Sequence, residues 1–383
     1  MALSPVVEEV FRRLWSRQDG RTTWERLQDP PSRVNGDHLR LVVERMVRER
    51  LLVPAAEDEV ALWVDALERD RGLVPRVDQV ELTNACPFTC PFCPRGLGLM
   101  TRPVGHMDLS LLADIAAQVA HLSAHKPFGL HHFGDPLLHP DPAGAVRVVR
   151  RAGLEPEISV NPVLLTPQKA QELLEAGVGV LILSVDGLDD QTLTRMRGPK
   201  AGPWAVVERH VEEALALAAR CESPPTVMVS MVATVHNRHQ WGELFRRYRR
   251  PGMPWLRPVV RLLEDFGEPA IAPLGVRRLR QLCGSPHAFV SVLWDGTVVP
   301  CCHDHDGVIP LGNLARQSLA EVWAGEPYQQ FRARWRAREF RDGEPCARCR
   351  WRPDLYAEED QVAETDAWTE SLWPAEGIPG GPP

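Results

Sequence analysis

Residues 81–96 read ELTNACPFTCPFCPRG, and the spacing of their three cysteines decides how the rest of the chain is read. Cys86, Cys90 and Cys93 form C-x3-C-x2-C directly after a short β-like run, so three thiols converge from one loop. Thiolate sulfur is the soft ligand that iron–sulfur clusters take, and three such ligands on a four-iron cluster leave one iron open. Pro87, Pro91 and Pro94 interleave with the cysteines, stiffening the loop and removing backbone donors. The competing reading is a structural zinc site. That site wants four protein ligands, and the nearest further donor is His106, beyond a Gly/Pro-rich stretch.

Downstream of the loop, β-rich runs alternate with helical ones. Candidate strands are 80–84 (VELTN), 128–133 (FGLHHF), 157–161 (EISVN), 180–186 (VLILSVD), 226–235 (TVMVSMVATV) and 259–264 (VVRLLE). Between them LSLLADIAAQVAHL, PAGAVRVVRRAG, PQKAQELLEAG and PWAVVERHVEEALALAA read as helices, two of them closing on Gly. Repeated strand–helix units imply an α/β fold with a parallel sheet or barrel, which binds ligands at the carboxyl ends of its strands. The cysteine loop follows the first strand at such an end.

Upstream, residues 1–76 read as helical. Ser4 is placed to cap a helix bearing Val7, Val10, Phe11 and Leu14, and Asp37 one bearing Leu39, Val42, Val43, Met46 and Leu51. DGRTTWERL (19–27) with the second helix resembles the helical half of a winged-helix or PqqD-like peptide-binding module, without that module's leading strands. A helical cap on the next domain is the simpler reading. At the other end, residues 357–383 hold seven acids and no Lys or Arg, which equals the formal net charge of -7. The rest of the chain is therefore near neutral and offers no electrostatic footprint for nucleic acid. The tail ends PAEGIPGGPP and reads as disordered. With no run of eighteen apolar residues and no signal-peptide core in MALSPVVEEVFRRLW, the expected location is the cytoplasm, with no membrane partner.

The chain has nine cysteines, an odd number, and seven of them fall into tight groups or pairs, which points to metal rather than disulfides. Cys283, Gly296 and Cys301 space as C-x12-G-x4-C, and Cys346 and Cys349 add CxxC. VSVLWDGTVVPCC (290–302) reads as a hairpin whose Asp295–Gly296 turn delivers Cys301. A four-cysteine zinc ribbon is the alternative. Cys302 is a possible substitute for Cys301, Cys221 reads as a packed free thiol, and HDHDG (303–307) as a solvated loop.

With Phe92 before its third cysteine, the triad resembles that of radical S-adenosylmethionine (SAM) enzymes. The second cysteine set, with LGNLARQSLAEVWAG (311–325), resembles their C-terminal SPASM domain in a shortened, twitch-like form. Its spacing is similar to that of the 2-deoxy-scyllo-inosamine dehydrogenase branch. The resemblance covers about residues 78–352. It implies a partial (β/α)6 TIM-type barrel at 77–265 and a SPASM/twitch domain at 266–356, beside an N-terminal helical domain (1–76) and an acidic tail (357–383). It also implies a SAM-binding [4Fe–4S] cluster on Cys86, Cys90 and Cys93, and an auxiliary [4Fe–4S] cluster on Cys283, Cys301, Cys346 and Cys349.

HHFGDPLLHPD (131–141) resembles the family's glycine-rich motif, which places Gly134 and Asp135 against the SAM amino group; Phe133 stands where Gly is common, and Asp135 where Glu is. Less tightly, Ser159 and Asn161 resemble contacts to the ribose or methionine part, Ser184 lies at the barrel mouth, and Arg197 answers to the SAM carboxylate. The implied activity is reductive cleavage of SAM and hydrogen abstraction from a C–H bond, with an external one-electron donor such as flavodoxin or ferredoxin. An auxiliary cluster that accepts an electron makes the enzyme an oxidoreductase on a small-molecule natural product, with Asp186, His132 and Asp304 as candidate proton acceptors. A peptide substrate held by residues 1–76 is the second expectation, and a non-catalytic zinc or iron–sulfur interaction protein the third.

Overall fold

The computed structural model describes residues 76–122, 127–261, 263–264, 266, 268–274, 286, 289–337 and 339–349, all within one compact unit. The helices expected over 1–76, the acidic tail and Cys283 lie outside the described residues.

Among the described residues nine strands form one sheet: β1 (Arg76–Val80), β2 (Phe128–Gly129), β3 (Pro156–Val160), β4 (Val180–Ser184), β5 (Thr226–Val232), β6 (Leu256–Arg261), β7 (Phe289–Val292), β8 (Thr297–Val299) and β9 (Gly312–Asn313). The order is β6-β5-β4-β3-β2-β1-β7-β8-β9. From β6 to β7 every pair is parallel, and β8 and β9 run antiparallel. The described helices are α1 (Leu109–Leu122), α2 (Pro142–Arg151), α3 (Pro167–Glu175), α4 (Asp190–Arg197), α5 (Trp204–Ala218), α6 (Trp241–Tyr248), α7 (Leu319–Ala324), α8 (Glu326–Arg336) and α9 (Pro345–Arg348). Six consecutive parallel strands joined by helices make the expected α/β fold, a partial TIM-type barrel. β7 pairs with β1 from Arg76↔Phe289 to Val80↔Val292, so the cysteine-bearing hairpin continues the barrel's own sheet.

Local chemistry explains where the helices begin. Asp141, Thr166, Asp189 and Ser318 accept the N–H groups of Gly144, Lys169, Thr192 and Glu321, and Pro142 and Pro167 sit in the first turns of α2 and α3. Buried Leu181, Leu183, Val227, Val229 and Met231 share one core with Leu173, Val207, Val211 and Leu215 of the covering helices. Each such side chain contributes about 1.5–3 kcal/mol on burial.

The first strand differs from the expected 80–84 and ends at Val80. The residues beyond it spend their polar groups on the loop instead: Thr83 Oγ1 donates to the Gly105 carbonyl (2.8 Å), and Asn84 binds both Pro103 O and Gly105 N. The second strand keeps only Phe128–Gly129 of its expected six residues. β5 stops at Val232, where Asn237 Nδ2 takes the carbonyls of Val232 and Asp186.

Candidate active site

The cysteine loop leaves β1 at the carboxyl end of the sheet. Its own backbone folds it, with Cys93 N–H donating to Cys90 O (3.2 Å) and Leu97 N–H to Cys93 O (3.0 Å). Two glycines, one after β2 and one at the end of α4, let neighbouring segments close on it. Gly134 has φ +112°, and a β-carbon there would strike the Thr83 carbonyl; Gly198 has φ +83°, and a β-carbon there would strike the Thr89 hydroxyl. Asp135 N–H then reaches Ala85 O (2.8 Å) and Thr89 N–H reaches Arg197 O (3.1 Å). Phe88, Cys90, Phe92, Met196, Leu263 and Ile271 surround the thiols with apolar side chains.

All three thiols are free. Burial pushes Cys86 up to about 12 and Cys90 to about 11, and raises Cys93 as well. Three sulfurs on one loop in a dry pocket are costly as bare thiolates and suited to a cluster whose iron takes that charge, so the donor set fits. The side-chain amide nitrogen of Asn161, just past the end of β3, is buried and has no hydrogen-bond partner.

The other expected site residues converge on the ends of β3 and β4. Asp135 is buried, which raises its carboxyl to about 6, and its two oxygens accept Leu137 N–H (3.0 Å) and Asn161 N–H (2.9 Å). Ser159 Oγ lies 3.2 Å from Ser184 Oγ. Arg197, at the end of α4, donates to Ser184 O (3.1 Å), reaches Cys90 Sγ at 3.7 Å and pairs with the buried carboxylate of Asp186. Asp186 itself takes φ +55°, and its second oxygen accepts Val232 N–H (2.6 Å).

At the second set, none of Cys301, Cys302, Cys346 and Cys349 is in a disulfide among the described residues. Burial and neighbouring Cys349 push Cys301 up to about 12. His303 bridges Cys349 Sγ (3.6 Å, through Nδ1) and Glu264 Oε2 (3.2 Å, through Nε2). Burial lowers its basicity, but Cys349 and Glu264 outweigh that and raise it to about 10. The Cys302 Sγ groups with Glu264 and His303 within 4.8 Å. Cys221 sits past the end of α5 with Sγ on the Leu217 carbonyl, as a free thiol.

The HDHDG stretch corrects its expectation as a solvated loop, since His303 and Asp304 are buried. The Asp304 carboxylate accepts Val308 N–H and Ile309 N–H (both 2.8 Å), and Asp306 accepts the backbone and hydroxyl of Thr101. Two of the candidate proton acceptors, Asp186 and Asp304, are thus consumed in holding the fold. The third, His132, lies between Glu81 Oε1 (3.5 Å) and the Cys302 carbonyl (3.3 Å).

That contact belongs to a network the sequence did not announce. Glu81 is fully buried and holds Arg102 through two hydrogen bonds (2.9 and 2.8 Å) while accepting Trp294 N–H (3.2 Å). Arg102 Nε in turn donates to His305 O (2.7 Å). Both cysteine loops are tied to one carboxylate at the mouth of the barrel. The available signal was a charged residue inside an otherwise strand-like run, ELTN.

Two family models match the chain: the Radical SAM superfamily over residues 80–248, and the SPASM iron-sulfur cluster-binding domain over residues 283–350. The chain belongs to the radical SAM enzymes that carry a C-terminal SPASM domain, and the cofactors that go with it are SAM, a SAM-binding [4Fe–4S] cluster and auxiliary iron–sulfur binding. Among its relatives is the tungsten-containing aldehyde ferredoxin oxidoreductase cofactor-modifying protein of Pyrococcus furiosus, 25% identical over 296 residues, which are 66% of this chain and 82% of that protein. The PqqA peptide cyclase of Gluconobacter oxydans is 26% identical over 304 residues, 70% of this chain and 81% of that one. The fold is shared with SuiB of Streptococcus suis bound to S-adenosylmethionine, at a TM-score of 0.50 and 14% identity over 82% of this chain and 81% of that one. Among the described residues no helix is long and apolar enough to cross a membrane.

Proposed function

We propose that this radical SAM enzyme is an oxidoreductase acting on a C–H bond of a small, polar natural-product intermediate. The observation that carries it is the joint between the two cysteine-bearing segments: Glu81 holds Arg102, after the triad, and the Trp294 N–H of the β7–β8 turn, while Thr101 and Arg102 bind Asp306 and His305 O beyond Cys301. Cys86, Cys90 and Cys93 would hold the SAM-binding cluster, and Cys301, Cys346 and Cys349 with Cys283 the auxiliary one. Bound there, these groups supply a 5′-deoxyadenosyl radical from SAM and an acceptor for the electron left on the substrate.

The chain's own contribution is placement. Asn161 offers its free amide, and Gly134 the close backbone approach, to SAM. Arg197 keeps positive charge beside Cys90, and the apolar cluster of Phe88, Phe92 and Ile271 excludes water. Residues 77–265 are read as the catalytic barrel and 266–356 as the auxiliary domain.

The test is anaerobic reconstitution followed by reduction with dithionite or a flavodoxin system. About eight irons per chain and 5′-deoxyadenosine release support the reading; four irons without 5′-deoxyadenosine overturn it. A peptide substrate is the second reading, favoured by the similarity to PqqA peptide cyclases. Capture of a precursor peptide by the full chain, lost when residues 1–76 are removed, would select it.

A further inference from the structure

His303 stands between two of the sulfurs assigned above to the auxiliary cluster. Its backbone N–H is hydrogen-bonded to the Cys301 side chain, and its ring Nδ1 lies 3.6 Å from Cys349 Sγ. The other ring nitrogen, Nε2, lies 3.2 Å from Glu264 Oε2. The Phe266 ring rests against the imidazole, 5.2 Å between centroids, and packs in turn on the apolar cluster around the triad. His303 is buried, so water does not compete for either nitrogen.

Burial and the nearby Cys349 sulfur make Cys301 costly as a bare thiolate, so this donor set, like the triad, fits iron that takes up the charge. A cysteine that holds iron does so as the thiolate, and its sulfur then only accepts. The carboxylate of Glu264 only accepts as well. Both ring nitrogens therefore face acceptors, and the proton on Nδ1 is aimed at the Cys349 sulfur. Reduction of an iron–sulfur cluster adds negative charge that its sulfurs share. A donor aimed at one of those sulfurs favours the reduced form, and such hydrogen bonds are among the features that set cluster potentials.

We infer that His303, held between Glu264 and Phe266, donates its ring N–H to the Cys349 sulfur and thereby raises the reduction potential of the auxiliary cluster, fitting that cluster to accept an electron. His303 acts through the sulfur, as a positioning residue, and not as a ligand. The inference deepens the proposed function and rests on its assignment of Cys349 to that cluster.

The test is an EPR-monitored redox titration of the reconstituted full chain, with Cys90→Ala showing which signal belongs to the auxiliary cluster. His303→Gln places an amide near the Nε2 position, facing Glu264, and loses the donor to sulfur. His303→Asn places one near the Nδ1 position and keeps it. At a fixed applied potential His303→Gln should lower the reduced-to-oxidised ratio about tenfold, a fall of ~59 mV for a one-electron couple, as for one lost hydrogen bond to a charged group. His303→Asn should stay within about threefold of the unsubstituted chain, with iron content unchanged in both variants. Equal potentials in the unsubstituted chain and His303→Gln, or an equal fall in both variants, would overturn the inference. Pulsed EPR of the unsubstituted enzyme carrying isotope-labelled histidine should show only the weak nitrogen coupling of a hydrogen bond; the strong coupling of an iron-bound imidazole would overturn it too. A Cys90→Ala chain with no auxiliary signal at all overturns the proposed function first and the inference with it, so the two failures read differently.

Discussion

The two cysteine regions of this chain solve the same problem in opposite ways. The triad comes from eight consecutive residues, Cys86 to Cys93, is wrapped in apolar side chains, and is positioned by glycines and one arginine. The second set gathers Cys301, Cys346 and Cys349 from places more than forty residues apart, and is bordered by Glu264, His303 and Asp304. A site made from one loop is specified by local sequence and needs the fold mainly to seal it. A site made from several segments depends on tertiary packing, and here His303 links the Cys349 sulfur to Glu264. The first arrangement suits a cofactor that must be approached by a substrate; the second suits a centre that stays closed.

The sharpest way to break this contrast is to remove one proposed ligand from each. Cys90→Ala is expected to abolish 5′-deoxyadenosine formation, because two thiols on one loop cannot replace three. Cys301→Ala should lower the iron content by about half and stop substrate turnover, while substrate-free 5′-deoxyadenosine release continues. If both variants lose SAM cleavage equally, the two regions are not functionally separate. Liquid chromatography of the nucleoside and iron analysis read both outcomes.

Next in size is the buried pair behind the triad. Arg197→Met leaves the Asp186 carboxylate buried without its cation and should cost about 3–5 kcal/mol, read as a fall in the urea midpoint of the apo chain. Asp186→Asn paired with Arg197→Met should recover part of that loss.

The joint between the regions gives a smaller effect with a pH signature. Burial alone raises Glu81, but His132 and Arg102 hold it below the ordinary value of 4.5. Its stabilisation is therefore complete above that value and is lost as pH falls through the lower folded one. Glu81→Gln should flatten the acid limb of a stability–pH curve measured by urea unfolding. Smallest of all, Asp306→Ala removes the acceptor for Thr101 on the surface of the joint and should cost about 0.5–1.5 kcal/mol in the same assay.

How far the sequence reached follows the same divide. The triad, α1 at 109–122, the Asp295–Gly296 turn and the central strands were legible, because periodicity, caps and turn chemistry are local. Strand ends were misjudged where side chains leave the ladder for the loop, as at Thr83 and Asn84. Helix α4 was not marked as one, although Asp189 caps it, since its apolar face is only Leu193 and Met196. The Glu81–Arg102–Trp294 network joins residues more than two hundred positions apart, and no pattern along the chain reveals such a charge pairing. HDHDG looked solvated for the same reason: its partners at Thr101, Glu264 and Cys349 are distant in sequence.

The β1–β7 pairing also has a consequence for biogenesis. A ribosome makes β1 and the cysteine triad roughly two hundred residues before β7, the strand that closes that edge of the sheet. Contacts of such sequence separation form late, after the loop between them has been ordered. During synthesis the triad therefore sits beside an unpaired strand edge, open to the factors that deliver iron and sulfide and also to aggregation. Arrival of the hairpin closes that strand edge, whereas the apolar cover of the triad, from Met196, Leu263 and Ile271, precedes it along the chain, so synthesis orders the sealing of the thiols before the closing of the sheet.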